Sequence, residues 1–315
     1  MQPLLNIAIS AARQAGDIIV RHIEQLDRIK ITAKSNEESF CEVDIKAEQA
    51  IINSIHKAYP DHGIIAEESG IQNGDAESVW IIDPLDGTNN FLHSFPFYAV
   101  SIALRVKNRI EHAVVYDPLD GSSLIDANFS IGSIFGVYPG THLLGRKVSD
   151  MIAAAYVVYG PRTILVLSFN GATHEFILDE CNFVLVRENI KINFEGKYFA
   201  PGNLRAYSES VDYKKLIDYW ISNKYTLRYS GGMVPDIHHI LVKLGGIFAY
   251  PGTPENKDGK LRLLYECGPM ALIVTNAGGL AVDGYRKILD LVVESLHQKS
   301  PIFIGSSREV EKCIK

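Results

Sequence analysis

The segment IDPLDGTN at 82–89 places two carboxylates three positions apart on a turn that contains proline and glycine. Asp83 and Asp86 can converge on one hard cation, and the Leu85 carbonyl can point the same way. The N–H groups from Gly87 onward can bind an anion, above all where a helix starts. This loop therefore predicts a place where a metal ion and a phosphate group meet.

A second copy of the loop, YDPLDGSS, occupies 116–123. Each copy follows an apolar run typical of a buried strand, and two copies are too few for a repeat architecture. Upstream, the strand GIIA ends at Glu67 and Glu68, which add carboxylates to the same edge. An isolated Asp-x-x-Asp also occurs as a cap or turn, but the two glutamates favour a metal site.

The segment GKLRLLYE at 259–266 carries two cations two residues apart. In an extended backbone Lys260 and Arg262 point to one face, where both can hold one anion beside Glu266. A solvated edge strand is the alternative interpretation. His238 and His239 are adjacent and could be mistaken for metal ligands. Adjacent side chains on a helix point about 100° apart, so core packing or surface exposure of these histidines is favoured over a metal site.

Hydrophobic periodicity predicts the elements that position these residues. Apolar residues three and four apart predict amphipathic helices at 4–22 and 43–57. The runs YAVSIALRV and EHAVVYDP, separated by a polar segment, predict a hairpin. Strand clusters interleaved with helices favour an α/β fold with layered α-β-α-β architecture. Further helices are predicted at 213–222, 234–243, 268–277 and 307–314, and further strands at SIGSIFGVY, AAAYVVYG, TILVLSF, HEFILD, GIFAY and PIFIG.

Composition excludes several classes of protein. The chain has 315 residues, 47% hydrophobic and 22% charged, with a net charge of -6. These values exclude collagenous, low-complexity and disordered chains. The negative net charge also argues against a nucleic-acid-binding protein, which normally carries clustered basic residues. No window approaches the roughly 18 apolar residues of a membrane span. The four cysteines form no Cys-x-x-Cys pair, which predicts free thiols, and the N-terminus lacks a signal peptide, so we expect a cytoplasmic protein.

Two family resemblances follow from longer motifs. EESG at 67–70 and WIIDPLDGTNNF at 80–91, with Lys34 and Asp44 upstream, resemble an inositol monophosphatase. After them, DPLDGSSLIDANFSIGSIFGVYPG, APGNLRA, YTLRYSGGMVPD and GKLRLLYECGPM resemble class I fructose-1,6-bisphosphatases and sedoheptulose-1,7-bisphosphatases. Both belong to one lithium-sensitive, magnesium-dependent phosphatase superfamily. The resemblance implies an inositol-monophosphatase-like half, 1–118, and a fructose-bisphosphatase-like half, 119–315, that holds the substrate-binding segment, so the chain looks like a hybrid.

The resemblance also implies roles for individual residues and two or three Mg²⁺ ions per site. Thr88 would orient the attacking water, with Glu67, Glu68 and Asp44 as the other catalytic residues. Arg228 would reach a neighbouring subunit's site, which implies a homo-oligomer, dimer or tetramer. The implied metal ligands are Glu67, Glu68, Asp83, Leu85, Asp86, Asp117, Leu119, Asp120 and Glu266. The implied substrate-binding residues are Gly87, Thr88, Gly121, Ser122, Ser123, Asn203, Arg228, Tyr229, Tyr250, Lys260 and Arg262.

The duplicated loop conflicts with these families, in which one such loop serves one site. Residues 83–116 and 117–150 are expected to compete for one place in the fold. Four converging aspartates plus the glutamates would repel one another beyond what two or three Mg²⁺ ions offset. One loop is therefore expected to be displaced. Local context pairs the first loop with Glu67 and Glu68, and downstream context pairs the second with Glu266.

The expected activity is hydrolysis of the 1-phosphate of fructose 1,6-bisphosphate by metal-activated water, with sedoheptulose 1,7-bisphosphate as a further substrate. The partner is thus a small phosphorylated sugar or polyol, with no nucleic acid and no membrane. Inositol 1-phosphate is the alternative substrate. A catalytically silent hybrid or interaction protein is the alternative of another class.

Overall fold

Two units of unequal length divide the chain, Met1–Glu111 and His112–Lys315. The division predicted after residue 118 remains a prediction, and that position lies within the first strand of the second unit, His112–Asp120. The computed structural model describes residues 3–23, 31–33, 39–86, 88–92, 99–107, 112–140, 142–180 and 182–314.

The first unit combines helices with a four-stranded sheet of order β4-β3-β5-β6 and a separate β1-β2 pair. In the four-stranded sheet β3 and β5 are parallel, and the other pairs are antiparallel. The elements are α1 (Pro3–Ile23), β1 (Ile31–Ala33), β2 (Ser39–Cys41), α2 (Glu42–Ala58), β3 (Gly63–Ala66), β4 (Gly70–Gln72), β5 (Ser78–Asp86), α3 (Thr88–Leu92) and β6 (Ala99–Val106).

The core of the first unit forms because α1 and α2 each bury one apolar face. Ala11 and Ala15 of α1 are fully buried, as are Ile51 and Ile55 of α2, and each pair is spaced four residues apart. They belong to one hydrophobic cluster with Trp80 of β5. The two predicted N-terminal helices are thereby confirmed, and the sheet that carries the first loop has a packed helical layer behind it.

The second unit contains a six-stranded antiparallel sheet, β12-β11-β10-β9-β8-β7, and a five-stranded mixed sheet, β14-β13-β15-β17-β16. Its strands are β7 (His112–Asp120), β8 (Ile131–Pro139), β9 (Ala153–Tyr159), β10 (Thr163–Phe169), β11 (Ala172–Asp179), β12 (Asn182–Arg187), β13 (Tyr198–Pro201), β14 (Thr226–Leu227), β15 (Ile247–Tyr250), β16 (Leu280–Val282) and β17 (Ile302–Gly305). Its helices are α4 (Ala206–Glu209), α5 (Val211–Ser222), α6 (Met233–Val242), α7 (Gly268–Asn276) and α8 (Ser307–Glu311).

These elements form alternating layers within the second unit. Helices α6 and α7 contact strands of both sheets, so they lie between them. The largest hydrophobic cluster fills this layer. A second cluster joins Trp220 and Ile217 of α5 to Phe199 and Ile247 on the five-stranded sheet. The layers of this unit thus alternate between sheet and helices, and helices cover both faces of the five-stranded sheet. The four C-terminal helices predicted from periodicity are confirmed, α8 ending early at Glu311.

The predicted hairpin between YAVSIALRV and EHAVVYDP is wrong. Within the described residues β6 pairs with β5 in one sheet, and β7 pairs with β8 in the other. Each loop-bearing strand thus takes the strand that follows it as its partner. The expected competition between 83–116 and 117–150 for one place stays a prediction, and the structure shows that the first loop ends β5 of the four-stranded sheet and the second ends β7 of the six-stranded sheet. Alternating apolar residues identify strands but do not select their partners.

The segment GKLRLLYE is extended only as far as Arg262, which corrects the prediction of an extended run. From Leu263 to Cys267 the backbone forms a π-helical turn that continues into α7. Leu263 and Cys267 are both fully buried. Residues four apart share a face in a helix and in a strand, but a helix keeps them much closer together because its rise per residue is smaller. The helical turn therefore lets both side chains pack into one core. This turn carries Glu266.

The sequence pattern did not identify strand β12. Its residues Phe183 to Val186 are apolar without alternation, and the structure leaves them exposed. Cys41, Cys267 and Cys313 are buried free thiols, as predicted, and Cys181 lies outside the described residues. No helix in the described part of the chain combines the length and apolar character that crossing a bilayer requires.

His238 and His239 of α6 contact aromatic side chains, as predicted. His238 Nδ1 lies 2.9 Å from the Tyr156 hydroxyl, and the His239 ring packs edge-on against Tyr198. Burial lowers the pKa of His238 to about 4. The charged and titratable groups that act on His238 are Glu175, Arg187, His239 and Arg162.

We expect this buried histidine to make the fold sensitive to acid. Between pH 6.5 and about 4 the unfolded chain binds a proton that the native imidazole does not, so stability falls as the pH falls. The loss is roughly 3 kcal/mol over that window. Urea unfolding from pH 7 to pH 4.5 should show a smaller slope for His238→Gln than for the wild type. His142→Gln, at an exposed position, is the control; an unchanged slope in His238→Gln contradicts the prediction.

Candidate functional site

The second loop forms a bulge at the end of β7. The pairing register between β7 and β8 shifts between Asp117 and Asp120, and the Leu119 N–H donates to Asp117 Oδ1 at 3.0 Å. Gly121 follows with φ of +85°, a conformation that residues with a Cβ rarely adopt. One 3-10 turn, Ser122–Leu124, comes next. The loop sequence therefore specifies a tight turn that leaves both aspartates at a strand end.

The first loop has the same local structure in its own sheet. The β5–β6 register shifts between Asp83 and Asp86, and the Leu85 N–H donates to Asp83 Oδ1 at 3.2 Å. The chain then enters α3 at Thr88. Both copies are therefore formed at strand ends, and the expected displacement of one copy from a shared metal site stays a prediction. Each copy has a separate strand on which to form.

Three carboxylates of the second unit meet at one point. One ligand oxygen from each of Asp117, Asp120 and Glu266 lies within 4.8 Å of the others. The Arg262 N–H donates to Glu266 Oε2 at 2.6 Å, across the start of the π-helical turn. Residues separated by more than a hundred positions thus converge, because the turn before α7 packs beside β7 and β8.

Helix α6 holds Asp120 in place from the other side. The N–H groups of Met233 and Val234 donate to the Asp120 carboxylate at 3.3 and 2.6 Å. This close approach depends on Gly132 of β8, where a Cβ would lie 2.5 Å from the Val234 side chain. The unpaired N–H groups at a helix start favour a negative charge. Sequence analysis missed this contact, because no local pattern relates α6 to β7.

The electrostatics of the cluster indicate uncompensated negative charge. Burial raises the pKa of Glu266 to about 7, with Asp117 and Asp120 as further causes. Burial also raises the pKa of Asp120 to about 6, against the effect of the two helix N–H groups. The pKa of Asp117 is raised by burial as well. Three carboxylates with raised pKa values are a donor set that a hard divalent cation fits, since its charge would offset their repulsion.

A cavity of about 550 Å³ opens beside these carboxylates. Tyr229 and Tyr250 contribute phenol groups to it, and burial raises the pKa of both, so they are neutral donors near pH 7. Eleven of the residues predicted from the sequence line the cavity: Asp117, Leu119, Asp120, Gly121, Ser122, Ser123, Tyr229, Tyr250, Lys260, Arg262 and Glu266.

Two predicted substrate residues of the second unit do not line this cavity. Asn203 has a positive φ of 51° and donates from its side chain to the Pro251 carbonyl at 2.9 Å, next to Tyr250. Arg228 is exposed and donates to the Leu227 carbonyl. The structure therefore gives Asn203 a role in shaping the chain beside the cavity.

The first unit has its own carboxylate group. Burial raises the pKa of Asp83 to about 7, and the Glu67 and Asp86 carboxylates raise it further. The side chain of Asp83 also shares a hydrogen bond with Glu67. Glu67 thus contacts the first loop, and the predicted partnership of that loop with Glu67 and Glu68 in binding a metal stays a prediction. Gly87 and Lys34 lie outside the described residues.

Two buried acidic side chains of α2 accept hydrogen bonds from residues in and near the first loop. Asp44 Oδ1 accepts the Thr88 hydroxyl at 2.8 Å, and the same hydroxyl lies 3.0 Å from the Leu85 carbonyl. Glu48, which sequence analysis missed, accepts the N–H groups of Glu68 and Ser69, each at 2.8 Å. The Asp-x-x-x-Glu spacing in α2 could have identified it, because residues four apart share a helix face.

Family models match both parts of the chain. The model described as "Inositol monophosphatase family" matches residues 1–136. The models "Fructose-1-6-bisphosphatase, N-terminal domain" and "Fructose-1-6-bisphosphatase, C-terminal domain" match residues 99–188 and 192–315. The first two matches overlap from residue 99 to residue 136, which includes the second loop. Both families consist of metal-dependent phosphatases, in keeping with the acidic clusters.

Individual relatives agree with these matches. The chain is 49% identical over 201 residues to a chloroplastic sedoheptulose-1,7-bisphosphatase of Spinacia oleracea, which covers 63% of this chain and 51% of that protein. It is 45% identical over 206 residues to a class 1 fructose-1,6-bisphosphatase of Geobacter metallireducens, covering 65% of each. The chain thus matches between half and two thirds of the length of these curated relatives.

A solved structure extends the likeness over nearly the whole chain. The fructose-1,6-bisphosphatase of Leishmania major in its holo form aligns with a TM-score of 0.65 and 30% identity, covering 99% of this chain and 94% of that one. The predicted α/β fold class is confirmed by this likeness. The matched family models cover both parts of the chain, and the solved structure shares its fold. The chain therefore belongs to the lithium-sensitive, metal-dependent phosphatase superfamily.

Proposed function

We propose that this chain is a magnesium-dependent phosphomonoesterase that hydrolyses the 1-phosphate of fructose 1,6-bisphosphate, with sedoheptulose 1,7-bisphosphate as a further substrate. The observation that carries the proposal is the cavity of the second unit. Three carboxylates that fit a cation and two cations that fit a phosphate line one space of about 550 Å³. A sugar bisphosphate offers anionic groups and hydroxyls to such a surface.

Asp117, Asp120 and Glu266 would hold the metal, together with the Leu119 carbonyl. Bound Mg²⁺ supplies positive charge that acidifies water and neutralises phosphoryl oxygens. Two or three ions per site is part of the proposal. In the reaction a water oxygen bonds to phosphorus, the bond from phosphorus to the sugar oxygen breaks, and the sugar oxygen leaves with a proton.

The chain's own residues bind and orient the substrate. Lys260 and Arg262 would hold a phosphate group, because their positive charges line the cavity beside Glu266. Gly121, Ser122 and Ser123 form the turn after the loop, whose N–H and hydroxyl groups can donate to phosphate oxygens. Tyr229 and Tyr250 present neutral hydroxyls to the sugar and its second phosphate.

The first unit has features that fit the alternative substrate, inositol 1-phosphate. Thr88 and Asp44 are hydrogen bonded as a water-orienting pair requires, and Glu67 contacts Asp83. The single site predicted to combine Glu67, Glu68 and Glu266 stays a prediction. We infer that the second loop forms the functional metal site, since it shares a cavity with the substrate-binding residues.

Phosphate release tests the proposed function. We expect the purified chain to release phosphate from fructose 1,6-bisphosphate only when Mg²⁺ is present, and to prefer it to inositol 1-phosphate in kcat/KM. Lithium should inhibit the reaction, and EDTA is the control for metal dependence. A preference for inositol 1-phosphate assigns the activity to the alternative substrate. Absence of turnover on fructose 1,6-bisphosphate, sedoheptulose 1,7-bisphosphate and inositol 1-phosphate supports the catalytically silent hybrid.

A cytoplasmic homo-oligomer, dimer or tetramer, is also part of the proposal. Arg228 is exposed and lies outside the cavity lining. Its exposure is compatible with a contact to a neighbouring subunit, which is the role that the family resemblance implies. Sedimentation measurements on the purified chain determine the oligomeric state.

A further inference from the structure

We propose that Lys299 is a further substrate-binding residue, which holds a phosphate group together with Arg262 and Lys260. The inference deepens the proposed function and rests on it for the identity of the substrate. Lys299 lines the same cavity as the other two cations. It lies far from them in the sequence, so no spacing pattern relates it to the segment GKLR.

Backbone pairing places Lys299 directly opposite Arg262. The two residues form an isolated antiparallel bridge. The Ser300 N–H donates to the Leu261 carbonyl at 3.0 Å, and the Leu263 N–H donates to the Gln298 carbonyl at 2.7 Å. These bonds flank the bridge, so Arg262 and Lys299 form a non-hydrogen-bonded pair, in which the side chains lie on one face and closest together.

Lys260 lies on the same face as Arg262, two residues earlier in the extended stretch. Diagonal neighbours across an antiparallel pair are within reach of long side chains. All three cations therefore face one space, and all three line the cavity. Three ammonium or guanidinium groups in this arrangement can donate to several oxygens of one phosphate.

Like charges directly opposite each other destabilise a strand pair. Within the described residues, none of the three cations forms an ion pair with a carboxylate within 4.0 Å. The Arg262 guanidinium instead donates to the His297 carbonyl at 2.9 Å, and Glu266 accepts the Arg262 backbone N–H. The charge of Glu266 offsets part of this repulsion at Arg262, and a phosphate group in the cavity would offset more of it.

Inorganic phosphate is the probe, used in calorimetric titration and thermal unfolding with EDTA present, so that neither turnover nor metal contributes. We expect Lys299→Met to raise the Kd for phosphate about tenfold, and Lys299→Arg to stay within about threefold of the wild type. Lys197→Met, at an exposed lysine outside the cavity lining, should bind as the wild type does. Without phosphate, Lys299→Met should unfold at the wild-type temperature or above it, because repulsion with Arg262 is removed.

The ligand-free unfolding temperature separates binding from a structural role. An unchanged Kd in Lys299→Met overturns the inference, and so does a weaker Kd accompanied by a lower ligand-free unfolding temperature. The proposed function can fail independently. If the wild type binds phosphate through Lys299 yet hydrolyses no sugar bisphosphate, the phosphate-binding role of Lys299 is supported and the proposed function is contradicted. If the wild type hydrolyses the substrate while Lys299→Met binds phosphate normally, the proposed function is supported and the role of Lys299 is contradicted.

Discussion

Glu266→Gln is expected to lower magnesium-dependent phosphate release by about a hundredfold or more, because it removes one of the three carboxylates that would hold the metal. The variant should fold, since the glutamine carbonyl can still accept the Arg262 N–H that Glu266 accepts at 2.6 Å. In the absence of metal the variant should be at least as stable as the wild type, because burial and the neighbouring Asp117 and Asp120 disfavour the charged form of Glu266.

Two measurements check this prediction. The first is the initial rate of phosphate release as a function of Mg²⁺ concentration. The second is the rise in unfolding temperature when Mg²⁺ is added, which should be large in the wild type and small in Glu266→Gln. Glu188→Gln, at an exposed position of the same unit, is the control. Wild-type activity in Glu266→Gln would show that the metal is held elsewhere.

Asp117→Asn is expected to reduce activity by about a hundredfold, whereas Asp83→Asn should stay within about threefold of the wild type. The two aspartates form a matched pair. Each accepts the N–H of the leucine two residues later, Asp117 from Leu119 and Asp83 from Leu85. An asparagine keeps this bond through its carbonyl oxygen in both loops. The comparison therefore isolates the lost charge from the loop structure.

The rates of the two variants on fructose 1,6-bisphosphate and inositol 1-phosphate identify the functional loop. Loss of activity in Asp83→Asn alone would assign the site to the first loop, with Glu67 as its partner. Loss in both variants would support one site to which both loops contribute. Loss in neither would show that catalysis needs neither aspartate and would contradict the proposed metal site.

The chemistry of the second unit was largely predictable from motifs. Asp117, Asp120 and Glu266 were expected to meet, and they do. Long motifs of this kind encode a local turn, such as the bulge and the left-handed Gly121, together with residue types suited to metal and phosphate. Local chain geometry depends on nearby residues, so a sequence reader can find it.

Strand partners were less predictable. The runs before and after residue 108 read as a hairpin, yet β6 and β7 belong to different sheets. The π-helical turn at Leu263–Cys267 likewise replaced an expected strand. In the first case the local pattern identified the strands but not their partners, and in the second it did not identify the helical turn. The choice of partner depends on packing against distant elements, which periodicity does not record.

Local motifs were enough to predict the superfamily, the two copies of the metal loop and the residue types that could bind metal and phosphate. The fold gives each copy a strand and an acidic partner of its own, and it places helix α6 against Asp120. It also placed Lys299 opposite Arg262. The physical reason is that these contacts join residues far apart in the chain. They form when sheets and helices bury their apolar faces together, which no local spacing specifies.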